Sequence, residues 1–113
     1  MSWLLGLLLM IWSSSGTVTH YGVGFQGQPM GCRAAGPYDT HNPWIVAVAP
    51  SSGLHCGDLV YIKGPAGANT GIVVDTCGGC GPTNLDLSEA GIERICGPSA
   101  GTCRVWYANV ILP

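Results

Sequence analysis

The stretch that decides the fold is residues 61–95, YIKGPAGANTGIVVDTCGGCGPTNLDLSEAGIERI. Residues 60–62 and 72–74 are apolar β-formers separated by glycine, proline and asparagine, which predicts a β-hairpin. Asp75 then ends the second strand, and Asp86 lies among leucines two residues before Ser88, a suitable helix N-cap. A carboxylate in apolar surroundings is costly unless it is paired, hydrogen-bonded or functional, so both aspartates are candidate site residues.

The length and the N-terminal pattern predict one exported domain. The 113 residues have room for a single domain, and residues 4–12 form an apolar run followed by Ser13, Ser14, Ser15 and Gly16. This pattern is typical of a secretory signal peptide, so we expect a leader at residues 1–16 and a mature, extracellular domain at residues 17–113. The apolar run is too short to span a membrane, although the lack of Lys or Arg before it leaves a membrane-retained N-terminus as the alternative.

All six cysteines fall in the predicted mature domain. An even number of cysteines in a small exported domain favours three disulfides. We expect the pairs Cys32–Cys80, Cys56–Cys77 and Cys96–Cys103, because the first two would tie the early loops to the C-G-G-C segment and the third closes a short local loop. The C-x-x-C pattern also permits a zinc site or a redox pair, but a second ligand pair and a βαβ context are missing, so we expect no metal and no cofactor.

The charge balance excludes some classes of partner. The net charge is −2, and the basic residues are only Arg33, Lys63, Arg94 and Arg104, scattered along the chain. No basic stripe or cationic amphipathic helix can be drawn from them, so nucleic acid and anionic membrane are poor candidates. A neutral ligand such as a carbohydrate or a peptide fits this composition better.

Short β signals alternate with loops along the mature chain. They cover residues 17–21, 44–49, 59–63, 71–75 and 105–110, and the longest loop covers residues 22–43. One helix is predicted at residues 88–95. The pattern predicts an all-β protein, a small disulfide-stapled barrel with one or two short helices.

Four segments resemble the six-stranded double-psi β-barrel family, which includes the rare lipoprotein A domain, the N-terminal domain of expansins and barwin. THYGVGFQGQPMGC is similar to the family's first strand and glycine-rich loop, WIVAVAP to its second strand, and HCGDLVYIKGPAG to its hairpin. VVDTCGGCGPTNLDLS is the strongest match. Bacterial expansins have an aromatic residue where this chain has Cys77, and they carry a second, cellulose-binding domain for which these residues have no room.

The resemblance implies a polysaccharide groove containing Asp75 and Asp86, with Tyr21 and Gly22 as further substrate-binding residues. Each has a structural alternative: Asp86 would brace the barrel by accepting backbone N–H bonds, and Asp75 would close a turn. His20 and Tyr21 alternate across the first strand, so only one of them faces the groove, and Tyr21 matches the family's aromatic position. Trp44 and Trp106 lie in strand-like runs, which is typical of core residues.

The function implied is binding of cell-wall polysaccharide, either peptidoglycan or a plant or fungal glucan, by a monomer. Two modes are open, expansin-like loosening without hydrolysis and weak lytic transglycosylase cleavage with Asp86 as acid and then base. Hydrolysis by two carboxylates would need a defined separation between Asp75 and Asp86 that sequence spacing does not supply. The alternative class is a secreted inhibitor of a cysteine protease or a barwin-like defence protein, which would use its glycine-rich loops as a wedge.

Overall fold

The strands form one closed six-stranded barrel. The computed structural model describes residues 13–33 and 35–111, and its strands are β1 (Ser13–His20), β2 (Ile45–Val48), β3 (Leu59–Lys63), β4 (Ala68–Thr76), β5 (Asn84–Leu87) and β6 (Cys103–Val110). Their order around the barrel is β1-β5-β2-β4-β3-β6. A single helical turn of 3-10 type, Pro50–Ser52, follows β2, and the α-helix α1, Glu89–Cys96, follows β5. These elements confirm the predicted all-β barrel with short helices.

Most predicted elements are present with small changes at their ends. The hairpin of β3 and β4 pairs in antiparallel register from Leu59↔Ile72 to Lys63↔Ala68, as the turn residues between them predicted. Helix α1 begins after Ser88, whose hydroxyl accepts the backbone N–H of Gly91. Strand β5 is the strand that was not assigned from the sequence, because its alternation of polar and apolar residues covers only four positions directly before the helix N-cap.

Strand β1 begins earlier than expected. Residues 13–18 pair in antiparallel register with β6, and Gly16 is so enclosed that an added Cβ would lie 2.1 Å from the Thr83 carbonyl oxygen. Residues 13–16 are therefore part of the barrel wall, and a leader that ended at Gly16 would remove half of β1. The apolar part of the predicted leader, residues 1–12, lies outside the described residues.

The core has two parts, one on each face of β2. Val46 and Val48 belong to the main cluster inside the barrel. Ile45 and Ala47 belong to a second cluster, which Tyr21 and Tyr38 complete. Because residues alternate across a strand, Ile45 and Ala47 must point to the outer face, where the long loop after β1 covers them. All four residues of this strand are therefore buried.

Two of the three predicted disulfide pairings were wrong. The structure pairs Cys32 with Cys56 and Cys77 with Cys80, and it confirms Cys96–Cys103. Cys32 donates its backbone N–H to the Val74 carbonyl and Gly57 donates to the Val73 carbonyl, so Cys32 and Cys56 meet on the same segment of β4. The C-G-G-C segment instead closes its own turn, in which the Cys80 N–H donates to the Cys77 carbonyl.

The prediction that Trp44 and Trp106 are core residues was also wrong. Their side chains are 56% and 62% exposed. Trp106 lies between Val105 and Tyr107, which are both buried, so the alternation of β6 turns the tryptophan outward. Within the described part of the chain, no helix is long and apolar enough to cross a membrane.

Candidate functional site

The two candidate aspartates lie in one row across the outer face of the barrel. Ala47 is the register partner of Asp75 on β4 and of Asp86 on β5, and Thr19 on β1 is the register partner of Asp86. Neighbouring strands lie about 4.8 Å apart, so two strand spacings put the Cα atoms of the aspartates about 10 Å apart. Residues in one row share a face of the sheet, so both carboxylates lie on the side of Ala47, outside the barrel.

A β-bulge is what brings Asp75 to this face. The β2–β4 register shifts between Val46 and Ala47, so that Val46 pairs with Val73 but Ala47 pairs with Asp75. Val74 is the extra residue, and it packs against the outer cluster. In a regular ladder Ala47 would pair with Val74, and Asp75 would share the inward orientation of Val48.

Asp75 is held by three hydrogen bonds. Its Oδ1 accepts the backbone N–H groups of Gly31 at 2.6 Å and of Thr76 at 2.9 Å, and its Oδ2 accepts the Tyr21 hydroxyl at 2.6 Å. Burial, together with this hydrogen bond to a carboxylate, raises the pKa of Tyr21 far above the ordinary value for a tyrosine. Asp75 thus fixes the first part of the long loop and keeps the Tyr21 hydroxyl protonated.

Asp86 has a different environment. It is partly buried, and its Oδ1 accepts the hydroxyl of Thr19 at 2.9 Å. Its Oδ2 receives no hydrogen bond from any residue that the structure describes. Burial raises the pKa of Asp86, the hydrogen bond from Thr19 and the charge of His20 oppose this shift, and the nearby charge of Asp75 adds to it. A carboxyl group with a raised pKa and an open oxygen is suited to contact a ligand or to transfer a proton.

An open cleft runs past both carboxylates, and we call its two parts the carboxylate half and the apolar half. The carboxylate half has a volume of about 210 Å³ and is lined by Tyr21, Gly22, Phe25, Ala47, Asp75, Thr76, Cys77 and Asp86. The apolar half has a volume of about 290 Å³ and is lined by Tyr21, Val23, Gly24, Phe25, Gln28, Pro29, Met30, Tyr38 and Asp75. The two halves share Tyr21, Phe25 and Asp75, so they lie side by side along these residues.

Aromatic side chains build the middle of this cleft. Tyr21 stacks on Tyr38 with ring centroids 4.2 Å apart and meets Phe25 edge to face at 5.7 Å. Tyr21 is buried by these contacts, whereas Phe25 remains 48% exposed. The loop therefore presents the Phe25 ring at the boundary of the two halves, in contact with Tyr21, which in turn stacks on Tyr38.

The structure brings all four predicted groove residues together, since Tyr21, Gly22, Asp75 and Asp86 line the same half of the cleft. His20 is exposed, and its Nδ1 lies 2.9 Å from the Tyr21 carbonyl oxygen. The predicted brace of backbone N–H bonds belongs to Asp75 rather than to Asp86.

Sequence reasoning missed other residues of the site. Thr19 is two residues before Tyr21, so the alternation of a strand already places the two on one face. Phe25, Ala47 and Thr76 gave no comparable signal. Among residues 13–33 and 35–111, no group of three or more His, Cys, Asp or Glu side chains is arranged to hold a metal ion.

Solved structures resemble this barrel over most of its length. An apo expansin from Clavibacter michiganensis matches with a TM-score of 0.70 and 27% identity, over 90% of this chain and 52% of that one. A mutant of that expansin in complex with cellohexaose matches with the same values. The Streptomyces papain inhibitor matches with a TM-score of 0.66 and 19% identity, over 90% of this chain and 97% of that one.

These likenesses confirm the predicted fold: the chain is a six-stranded double-psi β-barrel. Cerato-platanin 5 from M. perniciosa has the same fold, with a TM-score of 0.58 and 13% identity over 84% of this chain and 88% of that one. No family model matches the sequence, and no curated protein matches it either. The chain spans about half the length of the expansin that it matches.

Proposed function

We propose that this protein binds a cell-wall polysaccharide in the cleft and loosens wall material without hydrolysing it. The observation that carries the proposal is the row of Asp86, Ala47 and Asp75 across three strands, lying in an open cleft beside the exposed ring of Phe25. The likeness to an expansin that has been solved in complex with cellohexaose supports a carbohydrate-binding, expansin-like function.

The chemistry of the cleft suits a sugar chain. Carboxylate oxygens accept hydrogen bonds from sugar hydroxyl groups, and hydrogen bonds to a charged acceptor are stronger than neutral ones. The face of Phe25 offers apolar area to the C–H side of a sugar ring. Thr76 and Gln28 add polar side chains to the two halves.

The two carboxylates are not equivalent, and this favours binding over two-carboxylate hydrolysis. Both Asp75 oxygens already accept hydrogen bonds, so Asp75 is committed to holding the loop and Tyr21. Of the two carboxylates, only that of Asp86 has an oxygen that receives no hydrogen bond within the described residues. A cleavage mode would therefore use Asp86 as the single acid and base, as in a lytic transglycosylase.

We also propose that the chain is exported as a monomeric domain. Three disulfides in so small a barrel are typical of proteins that fold in an oxidising compartment. Because residues 13–16 form part of β1, we place the end of any leader before Ser13 rather than at Gly16. The intact mass of the exported protein tests this placement, which a mature N-terminus at Thr17 would refute.

A sedimentation experiment with insoluble wall material tests the proposed function. The wild-type chain, Asp86→Asn and Glu93→Gln are mixed with cellulose, chitin and peptidoglycan, and the protein left in solution is measured. Glu93 is an exposed residue of α1 outside the cleft, so its variant controls for the loss of one negative charge. We expect Asp86→Asn to weaken binding at least about tenfold while Glu93→Gln binds as wild type does. Release of reducing or anhydro sugar ends would show that the protein cleaves the polysaccharide. Absence of binding to all three polymers would refute the proposed function.

Protease inhibition is the second candidate, and one observation favours it. Val23 is 96% exposed beside Phe25, on a loop fixed at its base by Asp75 and Tyr21. A rigid loop that presents apolar side chains is suited to fill the cleft of a protease. The discriminating assay is inhibition of papain by wild type and by Val23→Ser. Inhibition that this substitution abolishes, without binding to wall polymers, would favour the second candidate.

A further inference from the structure

The lining of the cleft carries negative charge and no cationic side chain, although the charge of His20, which lies outside the lining, lowers the pKa of Asp86. The residues that line its two halves include Asp75 and Asp86 but no Lys, Arg or His. The four basic side chains of the chain, Arg33, Lys63, Arg94 and Arg104, all lie outside these linings. A ligand that carries carboxylate groups would meet two like charges there, so the cleft disfavours acidic polymers.

The hydroxyl donors next to the two carboxylates are already used. The hydroxyl of Tyr21 is a potential donor at the centre of the cleft, but it already donates to Asp75 Oδ2 at 2.6 Å. The hydroxyl of Thr19 likewise donates to Asp86 Oδ1. Thr76 and Gln28 add polar side chains to the lining, but of the four oxygens of the two carboxylates only Asp86 Oδ2 receives no hydrogen bond within the described residues, and it is an acceptor when the group is ionised. An ammonium group carries three donors and no acceptor, so it complements this arrangement better than a hydroxyl group does.

We propose that the cleft prefers a polysaccharide whose sugars carry protonated amino groups, such as a β-1,4-linked glucosamine polymer, over neutral and acidic chains. The inference rests on the proposed polysaccharide function and names its substrate class. The amino group lies at Asp86, and a neighbouring sugar lies on Phe25. The face of an aromatic ring also attracts a cation, so Phe25 adds to the preference.

A sugar chain fits the cleft better than a lysine side chain of a protein does. The two halves, of about 210 and 290 Å³, lie side by side along Phe25, so a chain of several sugars is long enough to contact both. A lysine has one point charge on a flexible stem, so it satisfies Asp86 and leaves the aromatic part of the cleft unused.

The test compares three β-1,4-linked hexamers that differ only at the second carbon of each sugar: the glucosamine hexamer, the N-acetylglucosamine hexamer and cellohexaose. Affinities are measured by titration calorimetry at slightly acidic pH, where the amines are protonated. We expect the glucosamine hexamer to bind about tenfold more tightly than cellohexaose. Asp86→Asn should bring this ratio close to one, whereas Glu93→Gln, with the same change in net charge, should leave it unchanged.

Each other outcome overturns the inference in a recognisable way. Equal affinity for the three hexamers would leave the proposed function standing and refute the preference for amino sugars. Binding of none of them would refute both. A hexalysine peptide that bound as tightly as the glucosamine hexamer would show a general attraction of cations, and a ratio that fell equally in Glu93→Gln would show that net charge, not Asp86, is responsible.

Discussion

Asp75→Asn should destabilise the barrel much more than Asp86→Asn does. In the variant the amide oxygen still accepts the N–H groups of Gly31 and Thr76, but the amide nitrogen replaces the oxygen that accepts the Tyr21 hydroxyl. The Tyr21 hydroxyl must then rotate so that its oxygen accepts a hydrogen bond from the amide nitrogen. None of the three hydrogen bonds is any longer strengthened by the negative charge of a carboxylate. Charged hydrogen bonds contribute about 1 kcal/mol more than neutral ones, so the variant should lose about 2 to 3 kcal/mol.

For Asp86→Asn the structure predicts a change within about 0.5 kcal/mol. One hydrogen bond, from Thr19, is kept by the amide oxygen, and burial already disfavours the charge that the substitution removes. For a domain of this size, 1 kcal/mol corresponds to about 4 to 8 °C, so the melting temperature of Asp75→Asn should fall by about 10 to 20 °C, whereas that of Asp86→Asn should change by only a few degrees.

The assay is urea unfolding followed by tryptophan fluorescence, on wild type, both aspartate variants, Tyr21→Phe and the double variant Tyr21→Phe with Asp75→Asn. Because Tyr21 and Asp75 share a hydrogen bond, their effects should not add, and the coupling should be about 1 kcal/mol. Additive effects, or a larger loss in Asp86→Asn than in Asp75→Asn, would refute the assignment of Asp75 as the anchor of the loop.

Three further outcomes follow from the structure. Replacing the Cys77–Cys80 pair by serine should cost about 1.5 to 2 kcal/mol less than replacing Cys32–Cys56, because the first closes a far shorter loop; equal losses in urea unfolding would contradict this. Gly16→Ala should lose about 3 kcal/mol of the free energy of unfolding or fail to fold, because its Cβ would lie against the Thr83 carbonyl. Gly36 has open space around it, so Gly36→Ala should be nearly neutral. Similar melting temperatures for the two variants would contradict the enclosure of Gly16 in β1. Because the pKa of Asp86 is raised, the folded state holds its proton more tightly than the unfolded state does. The wild type should therefore lose stability relative to Asp86→Asn as the pH rises from about 4 through the raised pKa. Parallel profiles of stability against pH for the two proteins would contradict the raised pKa.

Local sequence patterns predicted most of the barrel. The turn residues between β3 and β4 have a direct conformational meaning, so that hairpin and its neighbours could be assigned. Strand β5 could not, because its alternation of polar and apolar residues covers only four positions and leads directly into the helix N-cap. The start of β1 was missed for a different reason: its serines are not typical strand residues and follow an apolar leader-like run.

The site depended on contacts that sequence spacing does not contain. Both aspartates were predicted, but their common row across Ala47 depends on strand register and on the bulge at Val74. The disulfide pairing failed for the same reason, since Cys32 meets Cys56 only because the long loop folds back onto β4. Which aspartate is the anchor and which is open is set by Gly31 and Tyr21, and only the three-dimensional structure brings these residues to Asp75.

Mapping of cellohexaose on the protein by NMR tests the central claim most directly. Backbone amide shifts are recorded during titration of the isotope-labelled chain. Binding in the cleft predicts progressive shifts at Gly22, Phe25, Thr76 and Asp86, with little change along α1 or at the exposed Trp106 on β6. Shifts centred on α1 or Trp106, or no shifts at millimolar concentrations of the sugar, would contradict the assignment of the Asp75–Asp86 cleft as a polysaccharide site.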